Sequence, residues 1–376
     1  MERYGLPARL LNKSVPLRVT FPDLGQHPRS ALHYPERTLR YFRRFLPLVL
    51  VLLGGHLSAG ASEAPVPVVD LHVDLSYQFN FKARNFAAES GQFSIQSLQR
   101  GGVTGVVLPL YVPRNASQAG PRVADLERSY QRVSQALLHS PPFGPPGCSP
   151  KAGAVRTFYA FEGAGPLADD PASLVLWAKR GLRIVGLVHT YGNELASSSG
   201  DPEPKPHGLT DKGRVFVRKA FGLGLIVDVS HASDRALEDV VAVANEEHGV
   251  VVATHSNARA LADHPRNLRD AQLRAIAATG GVIGVNFHGP FLARGRRARV
   301  SDVVRQLQHM RSVVGPDHLA IGSDFEGDIH PPEELRDASR YPVLAAALAR
   351  AGFTAVEVRK IFAENALRVL CGADSR

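Results

Sequence analysis

The sequence predicts an α/β fold, a closed (β/α)8 barrel of the TIM type, on three observations. Eight short apolar runs recur between Val66 and Ser323, separated nearly everywhere by segments with helical spacing. Strands alternating with helices imply a parallel sheet, and eight such units close into a barrel. Six of the runs stop at His, Asp or Glu, at strand ends that a barrel gathers into one mouth.

The first run, Val66–Asp74, is rich in β-branched residues and has the length of a buried strand. His72 and Asp74 close it on one face, because alternate side chains of an extended chain point the same way. Phe93–Arg100 has helical spacing and leads through Gly101-Gly102 to a second strand, Val103–Leu110. An amphipathic helix over Val123–Leu138 follows, and then a Pro/Gly-rich stretch, Pro141–Pro150, predicted to be a surface loop. Val155–Phe161 is the third strand and stops at Glu162; a helix over Pro171–Arg180 precedes the fourth, Leu182–Val188, which stops at His189.

The polar stretch Tyr191–Gly208, with Ser197-Ser198-Ser199 and three prolines, is long for a connector, and loops of that length are often functional or mobile. Thr210-Asp211 caps a helix to Gly222, and Leu225–Ser230 is the fifth strand, stopping at His231. Ser233 caps the next helix; Val250–Thr254 is the sixth strand and stops at His255. A helix over Arg269–Thr279 leads to the seventh, Val282–Asn286. A helix over Ser301–Val314 leads to the eighth, Leu319–Ser323, which stops at Asp324. Helices near Pro342–Arg350 and over Ala355–Leu370 close the chain.

Of the 376 residues, 44% are apolar, ample for a large core, and no shift of composition divides the body. The expected organisation is therefore an N-terminal extension with a secretory signal peptide over 1–61, then a single barrel domain over 62–376. The signal consists of Arg40, Arg43 and Arg44, the apolar run Phe45–Leu53, and Ala59-Gly60-Ala61, which fits a small-residue cleavage site. The run is too short to span a bilayer, which takes about 20 residues, so no stable membrane span is expected after cleavage. The formal charge of +9 lies mostly in residues 1–61, with nine Lys/Arg against three Asp/Glu, leaving 35 against 32 elsewhere. That balance gives no basic face for nucleic acid. Cys148 and Cys371 are the only cysteines; an exported location permits a disulfide, and two unrelated thiols are the alternative.

Four histidines and three carboxylates at the strand ends suit zinc or a similar divalent ion. They are too many for one tetrahedral catalytic zinc, so two ions bridged by a carboxylate are expected, with one carboxylate left to move a proton. Metal-assisted hydrolysis follows as the reaction class.

Ordered motifs across the body sharpen this. They are Asp70-Leu-His-Val-Asp74, Phe161-Glu-Gly163, Leu187-Val-His189 with Ala196-Ser-Ser-Ser199, Gly208-Leu-Thr-Asp-Lys-Gly213, Val227-Asp-Val-Ser-His-Ala-Ser-Asp234, Thr254-His-Ser-Asn-Ala-Arg259, His264-Pro-Arg-Asn267 and Gly322-Ser-Asp-Phe-Glu-Gly327. From Asp70 to about Leu370 the chain resembles the membrane dipeptidase (renal dipeptidase-like) zinc metallopeptidases, peptidase family M19. The resemblance implies two Zn2+ per chain: one on His72 and Asp74, a second on His231 and His255, with Glu162 bridging. It implies that His189 binds substrate and stabilises the tetrahedral intermediate, that Arg266 grips the substrate's terminal carboxylate, and that Asp324 transfers the proton. A bridging hydroxide would attack the dipeptide bond, and a homodimer is the implied assembly.

The chain departs from the family in two places. The Tyr often found after the seventh strand is absent, since none occurs from 280 to 330, and Asp-Phe-Glu-Gly stands for the commoner Asp-Phe-Asp-Gly. His288 and His330 are expected to be exposed loop histidines, with accessory site residues as the alternative. Two alternatives stand beside the dipeptidase: a related barrel hydrolase of another amide or lactone, β-lactam-like rings included, and a non-catalytic secreted binding protein.

Overall fold

The computed structural model describes residues 65–82, 91–113, 122–203 and 207–372. The extension and signal segment predicted over 1–61 lie outside the described residues. The strands are β1 (Val68–Asp70), β2 (Val103–Tyr111), β3 (Phe143–Pro146), β4 (Val155–Glu162), β5 (Leu182–Gly186), β6 (Ile226–Asp228), β7 (Val251–Val252), β8 (Ile283–Val285) and β9 (Leu319–Ile321). Eight of them run parallel in the order β7-β6-β5-β4-β2-β1-β9-β8. A parallel bridge from Ala253 to Ile283 brings the two ends of that order together, with Ala253 N–H donating to Val282 O at 3.1 Å and Gly284 N–H to Ala253 O at 2.8 Å. The predicted barrel is thus present.

The apolar runs are nearly continuous because each strand is buried on both faces. Val69, Leu71, Val107, Phe158, Ile184, Ile226, Val252, Val282 and Ala320 fill the interior. Each side chain of this kind contributes about 1.5–3 kcal/mol on burial. A second, larger apolar cluster packs the outside of the strands against the helices. Those helices are α1 (Leu75–Phe81), α2 (Ile95–Gly101), α3 (Val123–Leu138), α4 (Leu174–Lys179), α5 (Asp211–Gly222), α6 (Asp234–Glu247), α7 (Asp270–Ala278), α8 (Gly289–Leu292), α9 (Val300–Val314), α10 (Tyr341–Arg350), α11 (Ala355–Arg359) and α12 (Asn365–Cys371). The predicted caps form: Thr210 Oγ1 accepts the Gly213 N–H at 2.9 Å and Ser233 Oγ the Ala236 N–H at 3.1 Å.

Several expectations change. The stretch Pro141–Pro150 is not merely a loop, because β3 pairs with the start of β4 through Phe143–Val155 and Pro146–Thr157. Strand β5 joins β4 only from Tyr159 onward, so the first residues of β4 offer a free edge that β3 covers. Proline is tolerated at such an edge. The last helix is interrupted: α11 passes through a π-helical turn, Lys360–Glu364, before α12. That turn lets Ala363, Ala366 and Leu370 all reach the barrel interior. The first turn of the Pro171–Arg180 helix is 3-10, and α1 and α8 had no signal in the apolar spacing. Cys148 and Cys371 form a disulfide that ties the chain after β3 to the end of α12.

Candidate metal centre

The ladders break just where the polar residues begin, and side chains take over the freed amides. Asp70 Oδ1 accepts the N–H of His72 at 3.1 Å and of Ser323 at 3.0 Å, while Tyr341 Oη–H donates to Oδ2. Asp228 repeats the device on the opposite side of the barrel: its Oδ1 accepts the N–H of Ser230 and of Thr254, both at 3.0 Å. Both carboxylates are buried with full hydrogen bonding, as a buried charge must be. They turn the chain at the ends of β1, β6, β7 and β9 so that the next side chains enter the mouth.

Glu162, at the end of β4, is the centre of what gathers there. Its Oε1 lies 3.0 Å from His231 Nε2, 3.2 Å from His72 Nε2, 3.7 Å from His255 Nε2 and 3.9 Å from His189 Nε2. His72 Nε2 is 3.6 Å from Asp74 Oδ2, and the Nε2 atoms of His231 and His255 are 3.0 Å apart. Three donor triads each lie within 4.8 Å: His72/Glu162/His255, Glu162/His189/His231 and His72/Asp74/Asp324. All seven strand-end residues predicted to converge therefore do so.

Thr254 decides which imidazole nitrogen faces the cavity. Its hydroxyl sits 2.6 Å from Asp228 Oδ2, 2.8 Å from His255 Nδ1 and 3.2 Å from His72 Nδ1. A carboxylate only accepts, so Thr254 donates to Asp228 and its oxygen accepts Nδ1–H from both rings. In the neutral rings both Nε2 atoms then present their lone pairs toward Glu162. His72 Nε2 is fully buried and makes no hydrogen bond. A divalent cation answers each of these features, so the donor set fits a metal.

The electrostatics agree. Burial, with the charges of Arg266 and neighbouring histidines, holds His231 and His255 well below the ordinary imidazole value, which keeps them neutral donors. Burial opposes the charged form of His72, but Glu162 and Asp74 outweigh it and raise the ring to about 10, so without a cation Nε2 holds a proton that a metal would displace. Burial likewise opposes the charge on Glu162, yet His72, His189 and His231 keep its carboxyl well below the usual range. Asp74 is pushed up by burial and by the facing carboxylates Glu162 and Asp324. Such a crowd of like charges is what a cation would relieve.

Asp324 stands on a left-handed backbone, φ 66°, as do Glu326 at 70° and Asp328 at 58°. Three non-glycine residues in this region within five positions carry strain that surrounding bonds must hold. Asp324 N–H donates to His72 O at 3.0 Å, Phe325 N–H to Ser323 Oγ at 3.1 Å and Glu326 N–H to Gln92 Oε1 at 2.9 Å. Glu326 faces away from the mouth and accepts the Phe93 N–H at 2.7 Å, so the Glu of Asp-Phe-Glu-Gly anchors the chain before α2. Asp324 faces the mouth, with Asn286 Nδ2 donating to Oδ2 at 2.9 Å, and burial raises its carboxyl to about 6.

A cavity of about 310 Å3 opens over these groups. Arg266 enters it with Nη2 3.3 Å from His231 Nε2, while Nη1 is buried without a hydrogen-bond partner. Tyr77 and Tyr111 line the cavity from the side of β1 and β2, the Tyr111 ring 4.2 Å from that of His189. They stand in a site that lacks the tyrosine after β8. His288 corrects the expectation of an exposed loop residue: it is half-buried and lines this cavity, because α8 turns the chain back over the mouth. His330 is exposed, as expected. The described residues of the loop after His189 are pinned to the mouth. Ser198 Oγ–H donates to His189 O and lies 3.1 Å from His231 O, and Ser199 N–H donates to His231 O at 2.8 Å. It clamps the two histidine-bearing strand ends together. Asp70, Asp228, Thr254, Asn286, Tyr77 and Tyr111 escaped the sequence reading; only the Asp-x-His and Asp-x-Ser-His spacings hinted at two of them.

The membrane dipeptidase (peptidase family M19) sequence model matches residues 61–375. A protein of the pqqA 5′ region of Klebsiella pneumoniae is 38% identical over 218 residues, which is 56% of this chain and 79% of that one. The dipeptidase aclJ of Aspergillus oryzae is 28% identical over 330 residues, 81% of this chain and 78% of its own. Among solved structures, a Rhodobacter sphaeroides metallopeptidase liganded with a phosphinate mimic of the dipeptide L-Ala-D-Ala superposes with a TM-score of 0.72 at 27% identity. The match covers 81% of this chain and 99% of that one. The chain belongs to the membrane dipeptidase family, peptidase family M19, as a hydrolase of the metallo-dipeptidase type.

Proposed function

We propose that the chain is an exported zinc dipeptidase with two ions per chain. The observation that carries this is the donor cluster around Glu162, with Nε2 of His72 and His255 freed by Thr254. His72 and Asp74 would hold one ion, His231 and His255 the other, and Glu162 would bridge. Pairing His231 with His255 rests on their 3.0 Å Nε2 separation, and it leaves His189, 3.9 Å from Glu162, free for substrate. Two such ions supply a polarised carbonyl and water acidic enough to ionise near neutral pH.

The remaining steps belong to the chain's own groups. Arg266 binds the C-terminal carboxylate of the dipeptide through the fork whose Nη1 has no protein partner. His189 donates to the oxygen that gains charge as the peptide carbonyl becomes tetrahedral. Asp324, placed by Asn286, takes the proton of the attacking water and delivers it to the leaving amine.

The signal-like segment ahead of Ala61 supports export, and the Cys148–Cys371 disulfide fits an oxidising compartment. Among the described residues no helix is long and apolar enough to cross a membrane. Residues 62–376 would then be the mature barrel domain; a homodimer, which the resemblance implies, is checked by light scattering. The test of function is zinc content paired with a peptide panel. Close to two zinc per chain and chelator-sensitive cleavage of dipeptides but not tripeptides is the expected result. Two zinc without dipeptide cleavage would move the substrate to another amide or lactone.

A further inference from the structure

Beside the 310 Å3 cavity lies a larger groove of about 780 Å3, with Ile329 lining both. Phe291 stands between them: its ring lies 5.5 Å from the Arg266 guanidinium on one side and 4.5 Å from the His264 ring on the other, and His264 lines the groove. Four arginines, Arg294, Arg296, Arg297 and Arg336, line this groove, and Glu333 is the one carboxylate among its lining residues. Two of the four are committed elsewhere. Arg296 makes a two-pronged pair with the buried Asp302, and Arg336 lies 3.3 Å from Asp337. The other two pair only with exposed carboxylates. Arg294 reaches Asp263 only at 3.8 Å, and Arg297 reaches Glu333 at 3.2 Å, with every one of these side chains more than half exposed.

We propose that this groove is a subsite for an acidic side chain on the C-terminal residue of the substrate. The inference deepens the dipeptidase reading and rests on it. With the terminal carboxylate on Arg266, the side chain of that same residue leaves from the adjacent carbon, at the wall formed by Phe291 and Ile329. A glutamate side chain has two methylenes with which to pass that wall. Its carboxylate then meets guanidinium forks, which match carboxylate geometry and shed water more readily than an ammonium does. A neutral glutamine of the same size would gain no charge pairing, and a lysine would meet repulsion.

The test is the rate of Ala-Glu, Ala-Gln and Ala-Ala hydrolysis by the zinc-loaded protein, each peptide with an L- and a D-residue at its C-terminus. It is run at low and high salt on the parent and on the double variant Arg294→Ala/Arg297→Ala. Expected is a kcat/KM preference of about fivefold for Ala-Glu over Ala-Gln, the scale of one or two exposed ion pairs. That preference should shrink at high salt and vanish in the double variant, with Ala-Ala hydrolysis unchanged throughout. Equal rates for Ala-Glu and Ala-Gln in a parent that cleaves Ala-Ala normally would overturn the subsite while leaving the dipeptidase standing. A preference that survives in the double variant would overturn it as well. Failure to cleave any of the three peptides would overturn the dipeptidase reading itself, and the subsite with it.

Discussion

Thr254→Val removes one hydroxyl from a buried position and should weaken both metal sites at once. That hydroxyl donates to Asp228 Oδ2 at 2.6 Å and receives Nδ1–H from His255 at 2.8 Å and from His72 at 3.2 Å. Valine keeps the volume but leaves two ring N–H groups and a carboxylate oxygen short of one partner each. Asp228 remains held by Ser230 Oγ–H at 2.6 Å and two amides, so the fold should survive. The rings lose what fixes their tautomer, and loss of such outer partners typically costs 10- to 100-fold in metal affinity or activity, about 1.4–2.7 kcal/mol. Each unmet buried donor adds about 1–3 kcal/mol against the folded state. The assay is zinc retained after dialysis against a graded series of chelator, read beside kcat/KM and the thermal midpoint of the zinc-free protein. Thr254→Ser, which keeps the oxygen, should retain zinc close to the parent. If Thr254→Val holds zinc and turns over substrate as the parent does, the tautomer argument is wrong.

Other expectations are more local. Asp324→Asn should lower kcat by about 100- to 10,000-fold, the usual worth of a placed proton-transfer group, while zinc content stays the same; near-normal turnover would remove Asp324 from that role. Arg266→Ala should cost dipeptides with a free C-terminus about 10- to 100-fold in kcat/KM, as loss of a charge-assisted pair does, and leave amidated ones little changed. Equal cleavage of free and amidated dipeptides by the parent would refute the clamp. Asp302 is buried, which opposes its charge, yet Arg296, the Arg299 amide and Arg305 hold its carboxyl below the ordinary value. A depressed folded pKa contributes stability that is complete above about pH 3.9 and is lost as pH falls through the folded value. Asp302→Asn should therefore cost about 1–2 kcal/mol in urea unfolding at neutral pH, and less at pH 3. An equal loss at both pH values would count against the charge pairing.

Much of this protein is written locally. Eight β-branched runs with helical segments between them imply parallel strands buried on both faces, and eight such units suit a closed barrel. Because a barrel collects its strand ends, His72, Asp74, Glu162, His189, His231, His255 and Asp324 could be placed in one mouth from chain position alone. Thr210 and Ser233 marked their helix starts because a cap acts within three residues. What lay beyond reach depends on residues distant in sequence. Asp70 meets Ser323 and Tyr341, and Thr254 joins His72 to Asp228, contacts that no periodicity announces. The strand at Phe143–Pro146 forms only because β5 begins late and leaves an edge of β4 open, a choice between competing partners that propensity cannot express. His288 reads as a solvent residue until α8 folds it over the mouth, and the arginines that follow, still exposed, line the groove beside it. The residue types and their order determined the chemistry of the site; packing decided which nitrogen faces the metal cavity, which tyrosines line it and which cations stand beside it.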